Sequence, residues 1–222
     1  MKQNIKVAVI GGTGKAGSYL VKELLSQKFN LKVLLRHPEQ DSLSRGFGSL
    51  QLLSHPSVEI VTGDISDYET VRSLLAGCTV VISALGQKKE EPLISSLATS
   101  HIIRAMNEYA IRRYISITGL SLDLPGDKRS LLVREASAFM KHTFPVVMAD
   151  KQKAFTILSG SNIDWTLVRL PFIIQTDDRG KWAIDLIDCP GDRIRTTDLA
   201  NFLIKQISDR KFIRKAPFIA SV

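Results

Sequence analysis

Cysteine is nearly absent from this chain. Cys78 and Cys189 are the only two, and neither stands in a metal-ligand or redox spacing, so a disulfide framework, a thiolate metal site and a C-x-x-C centre are all excluded. Both are expected as reduced core or loop residues. Long apolar runs are missing too, and none approaches the length that spans a bilayer. The first strand is read within a few residues of the initial Met, so no signal peptide is expected, and a cytoplasmic protein with no membrane partner is expected. No low-complexity linker or composition shift divides the 222 residues, and 44% hydrophobic content supports a core in one domain, 1–222.

Acidic residues are the minority, 22 against 30 Lys and Arg, for a net charge of +8. A basic stripe interleaved with aromatics is nevertheless lacking: the densest pairs, Lys88-Lys89, Arg112-Arg113 and Lys128-Arg129, are scattered. Nucleic acid is therefore not an expected partner, and a positive field of this kind suits a multiply anionic small ligand.

What the chain does contain is a glycine turn. Gly11-Gly12-Thr13-Gly14-Lys15-Ala16-Gly17 follows the apolar run Ile5 to Ile10, and Leu20, Val21, Leu24 and Leu25 then recur at helical spacing. Strand, turn and helix in that order form a dinucleotide-binding unit, because glycines let the backbone approach a pyrophosphate at a helix N-terminus. A triphosphate-binding Walker loop is excluded: it needs Ser or Thr directly after the Lys, where Ala16 stands. Gly11, Thr13, Gly14, Lys15, Ala16 and Gly17 are thus expected at the cofactor. At the end of the next apolar run, Leu31 to Leu35, Arg36 and His37 replace the usual ribose-binding acid and favour NADP(H) over NAD(H), with Glu39 or Asp41 as alternative ribose contacts.

Further strands are read at Val58 to Val61, Thr79 to Ser83, Tyr114 to Thr118, Trp165 to Arg169 and near Pro217 to Ala220. Helices are read at Tyr68 to Leu75, Leu93 to Tyr109, Lys151 to Leu158 and Thr197 to Ile207, with Asp67 and Asp198 placed as caps. This alternation predicts an α/β, Rossmann-type, doubly wound parallel sheet with helices on both faces. Ligands of such sheets bind beyond the carboxyl ends of the strands. The residues there are Asp64, placed to accept from an adenine amino group, and Ile65; Ala84, Leu85 and Gly86; Thr118, Gly119 and Ser121; and Pro171 with Phe172.

The glycine turn, Arg36, Gly63-Asp64-Ile65-Ser66-Asp67, the strand-six segment Ser161 to Pro171 and Asp198-Leu199-Ala200 together resemble the atypical short-chain dehydrogenase/reductase superfamily. The resemblance is to its biliverdin reductase B/flavin reductase and NmrA-like branch. It spans nearly the whole chain, but the Tyr-x-x-x-Lys pair of most such enzymes is missing. The four tyrosines are followed four positions on by Glu23, Arg72, Arg113 and Thr118; where that family carries its Lys and Tyr, this chain has Lys151 and Val147.

Without that proton donor, a general-acid contribution of about 10²–10⁴ in rate is lost. The resemblance then implies acceptors that need little enzymatic acid, namely flavins, quinones or linear tetrapyrroles, reduced by direct hydride transfer. Thr118 and Ser121 are the expected hydroxyls at the reacting ring, and Lys151 the expected ribose or substrate contact. Residues 120–150 have no counterpart in the short members. A helix from about Lys128 to His142, carrying Leu131, Leu132, Phe139 and Met140, is expected there and is placed to overhang the crevice. The alternative is a non-catalytic NAD(P)H sensor of NmrA-like type, in which side chains such as Phe139 or Phe172 fill the acceptor pocket. A small-molecule acceptor is the expected partner, no metal is expected, and a monomer and a homodimer both remain open.

Overall fold

The computed structural model describes residues 5–36, 54–87 and 93–222. His37, Glu39 and Asp41 lie outside the described residues. The chain runs β1 (Lys6–Ile10), α1 (Lys15–Ser26), β2 (Asn30–Leu35), β3 (Val58–Thr62), α2 (Tyr68–Leu75), β4 (Val80–Ser83), α3 (Ile94–Glu108) and β5 (Arg113–Gly119). It continues through α4 (Leu131–Thr143), α5 (Pro145–Gly160), β6 (Asp164–Leu170), β7 (Phe172–Ile174), β8 (Trp182–Asp185), β9 (Arg193–Arg195), α6 (Thr196–Lys205) and β10 (Phe218–Ser221).

Eight strands form one sheet in the order β3-β2-β1-β4-β5-β6-β10-β8, and β7 and β9 make a separate two-stranded ladder. All neighbours in the large sheet are parallel except β10 and β8. The order reverses between β1 and β4, which is where the doubly wound topology opens its crevice.

Alternation along the strands divides the core into two layers. Val7 and Val9 of β1, with Leu31, Val33 and Leu35 of β2, pack on the side of α1 and α6. Ala8 and Ile10 face the other way, toward apolar residues of α2, α3 and α5. Strands buried on both faces read as continuous apolar runs, which is why β1, β2 and β4 are plain in the sequence. Asp67 caps α2 as expected, its carboxylate accepting from Glu69 N, Thr70 N and Thr70 Oγ1.

Asp198 departs from its expected role. Arg195 occupies the N-cap of α6 and supplies no side-chain cap. Buried in the first turn, Asp198 instead accepts from Gly180 N at 3.0 Å, Ser221 Oγ at 2.7 Å and Arg195 Nη1 at 3.2 Å. It ties α6, β10 and the segment before β8 together. No helix among the described residues is long and apolar enough to cross a membrane.

Candidate cofactor and acceptor site

The turn between β1 and α1 is built on close backbone approach. Gly11 adopts φ +74°, and a Cβ there would stand 2.6 Å from the carbonyl oxygen of Ala84. At Gly17, in the first turn of α1, a Cβ would fall 1.9 Å from the Gly11 oxygen, so only glycine lets the helix sit against the turn. Gly14 N donates to Gly11 O at 3.0 Å and Gly14 takes the N-cap of α1, where no side chain caps the helix and no acid stands in the first turn. Lys15, Ala16 and Gly17 therefore open the helix with N–H groups that lack intrahelical acceptors, the arrangement that holds an anion. The residues present fit the pyrophosphate of a dinucleotide.

Ala84 is drawn to this turn by its own N–H, which donates to Ile10 O at 2.9 Å. Leu85 N lies 3.1 Å from where a Gly11 Cβ would be. The ends of β1 and β4 thus form the two lips of the crevice, with Gly86 just beyond.

Arg36 and Asp64, at the ends of adjacent strands β2 and β3, form an ion pair with Nε and Oδ2 3.0 Å apart. Asp64 Oδ1 also accepts from Ser66 N at 2.7 Å. From the sequence Arg36 is expected at a ribose phosphate and Asp64 at adenine; the structure holds the two against each other. Ile65 turns its side chain into the core beside α2 and α3.

A cavity of about 230 Å³ opens on the α3 and α5 side of β4, β5 and β6. Leu85, Thr118, Gly119, Lys151 and Pro171 line it, joining the expected residues of four separate segments. Ser121 is buried and Phe172 is 73% exposed, and neither belongs to the wall. Nor does α4: Phe139 is 65% exposed, and no residue from Leu131 to Thr143 lines the cavity, so the expected overhang is not formed. His142 is exposed.

Lys151 is half-buried in α5, and desolvation lowers its pKa from the ordinary lysine value against the opposing field of Asp150. Apolar walls come from Ile102, Phe155, Leu158 and Leu167.

Ser116 and Tyr114 also line the cavity, and neither is among the residues expected there from the sequence. Ser83 and Ser116 are register partners on β4 and β5. Tyr114 lines the cavity beside them, and burial raises its pKa above the ordinary phenol value. Their signal lay in pairing register across parallel strands, which no local pattern carries. Asp150, 3% exposed, caps α3 from another helix, Oδ2 accepting from Ser95 N at 2.9 Å, Ser96 N at 3.2 Å and Gln87 Nε2 at 3.1 Å. It anchors α5, and so Lys151, to the start of α3.

A family described as NAD(P)H-binding matches residues 11–210. The chain belongs to that family. Its fold is shared by a short-chain dehydrogenase/reductase from Veillonella parvula in complex with NADP, at 15% identity and TM-score 0.78 over 98% of this chain and 94% of that one. ChuY from Escherichia coli O157:H7, described as an anaerobillin reductase, superposes with TM-score 0.77 at 18% identity over 97% of each chain.

Among curated relatives, the chloroplastic protein TIC 62 of Oryza sativa subsp. japonica is 25% identical over 183 residues, 76% of this chain and 35% of the relative. The TIC 62 of Pisum sativum is 26% identical over 188 residues, 76% of this chain and 33% of its own length. The chain spans about a third of the length of these relatives. Fold, family and NAD(P)H-binding character agree with the short-chain dehydrogenase/reductase resemblance read from the sequence.

Proposed function

We propose that this protein is an NADPH-dependent reductase of a small planar acceptor, a flavin, quinone or tetrapyrrole-like molecule. The carrying observation is the open cavity beside the crevice. A sensor could fill this space with side chains such as Phe139 or Phe172, and both are exposed instead. The cavity is small beside the roughly 300–1,000 Å³ of pockets that enclose drug-sized ligands. That size favours an acceptor inserting one ring edge between Thr118 and the apolar wall.

The nicotinamide supplies the hydride. The chain contributes placement: the glycine turn holds the pyrophosphate, Arg36 stands at the ribose end, and Lys151 presents an ammonium to the cavity. Orientation of two rings lowers a barrier without any acid group, as befits a site with Val147 where a tyrosine would stand. Similarity in fold to an anaerobillin reductase is compatible with this acceptor class, and the Arg36 side chain supports NADPH.

The test is NADPH oxidation followed with FMN, a benzoquinone and biliverdin as acceptors, beside calorimetric titration of NADPH and NADH. Turnover with at least one acceptor and tighter NADPH than NADH binding are expected. Tight NADPH binding without turnover of any acceptor would replace this reading with that of a sensor.

A further inference from the structure

β8 is the last strand of the large sheet, and among the described residues only β10 pairs with it. The register sets Asp185 against Phe218, Ala183 against Ala220 and, one step beyond the strand, Val222 N donating to Lys181 O at 3.0 Å. In an antiparallel ladder the residues in phase with Lys181, namely Ala183 and Asp185, turn their N–H and C=O toward β10. Trp182 and Ile184 turn theirs outward. Sheet edges are ordinarily blunted by Pro, a bulge, a charge set within the strand or a covering segment. Among the described residues, β8 has none of these between Trp182 and Ile184.

Which outward groups are available is limited on both sides. Two residues before Trp182, Gly180 N is already donated to Asp198 Oδ1. Two residues after Ile184, the Leu186 carbonyl already accepts from Arg169 Nη2 at 3.0 Å. Trp182 and Ile184 are therefore the two residues with a complete outward N–H and C=O pair. Ile184 is 36% exposed, and the exposed Leu186 and Ile187 continue the apolar edge.

We propose that β8 pairs antiparallel with β8 of a second copy of this chain across a two-fold axis at Ala183. This register sets Trp182 opposite Ile184 of the second copy, twice, each pair exchanging two backbone hydrogen bonds. It sets Lys181 opposite Asp185 of the second copy, also twice, in the non-hydrogen-bonded positions where side chains approach most closely. Both are exposed in the single chain. The Asp185 carboxylate is held below the ordinary range by the backbone N–H groups of Ile187 and Asp188, so it meets the lysine ionised. Shifting the axis by one residue either way recruits Gly180 or Leu186, whose groups are taken. The edge is thus self-complementary in hydrogen bonding, apolar contact and charge at one register, as an isologous interface requires.

Sedimentation equilibrium of the whole chain, from low micromolar to near-millimolar concentration, tests this. The wild type is expected to pass from monomer to dimer. Ile184→Pro removes only an outward N–H, leaving the bonds to β10, and is expected to remain monomeric with NADPH binding intact.

Lys181→Glu alone and Asp185→Lys alone each place like charges opposite one another and are expected to weaken self-association about tenfold. Mixed in equal amounts, these two variants are expected to recover a heterodimer, a result that loss of folding cannot imitate. A wild type monomeric throughout, a dimer indifferent to Ile184→Pro, or a mixture no tighter than its components would overturn the proposal.

Discussion

Arg169, completely buried on β6, places Nη1 2.8 Å from both carboxylate oxygens of Asp127. Its other nitrogens donate to the carbonyls of Ala216 and Leu186, and its guanidinium lies 3.5 Å from the Phe218 ring centroid. One cation thus fastens the segment between β5 and α4 to the far half of the sheet. Breaking a buried pair from one side strands the other charge. Asp127→Ala is expected to destabilise the fold by about 3–5 kcal/mol, seen in thermal unfolding as a Tm lower by roughly 6–20 °C. NADPH affinity of the folded variant should be unchanged, since neither residue lines the cavity or the glycine turn.

The Arg36–Asp64 pair gives a second prediction. If the guanidinium also serves the ribose phosphate, Arg36→Ala should weaken NADPH about 10–100-fold, the equivalent of one charge-assisted hydrogen bond. NADH affinity should change little, so the ratio of the two dissociation constants by calorimetry is the readout. An unchanged ratio would remove Arg36 from the cofactor site.

Lys151 couples stability to function. Its folded pKa lies below its unfolded one, so the unfolded chain holds the proton more tightly. Stability therefore rises with pH across the window between those two values, and the cost of the charged, half-buried ammonium is fully present below it. Lys151→Met is expected to raise Tm at neutral pH while weakening NADPH or lowering kcat/KM about tenfold or more. The wild type should also lose the lysine-dependent part of its binding in an alkaline limb that begins below the ordinary lysine pKa, and the variant should lack that limb.

At Gly17 there is no room for a methyl group. Gly17→Ala is expected to push α1 off the turn, costing about 1–3 kcal/mol in urea unfolding, and to abolish detectable NADPH binding. The same substitution at Gly77, where nothing lies within 4 Å of a Cβ but φ is +75°, strains only the backbone and should leave binding intact.

How much of this was legible beforehand depended on whether the signal was local. The glycine turn, the strand cores and the Asp67 cap each depend on residues within a few positions of one another, so hydrophobic period and turn chemistry located them. Helix α4 was legible for the same reason, but its position was not: a helical pattern specifies an apolar face without saying which neighbour receives it, and Phe139 stands in solvent rather than over the crevice. Asp198 was misassigned because a first-turn acid reads as a cap, whereas β10 and Gly180 arrive from distant segments to claim it.

The sequence by itself determined an NAD(P)H-binding, doubly wound α/β chain with its crevice at the strand ends, because parallel strands buried on both faces and a glycine-rich first turn leave few other arrangements. Tertiary structure alone decided what gathers there. It set Ser83 beside Ser116 by register, brought Asp150 to the start of α3, joined Arg36 to Asp64 and left a cavity open beside the crevice. Those outcomes depend on contacts between residues far apart in the chain, which local propensity and spacing do not encode.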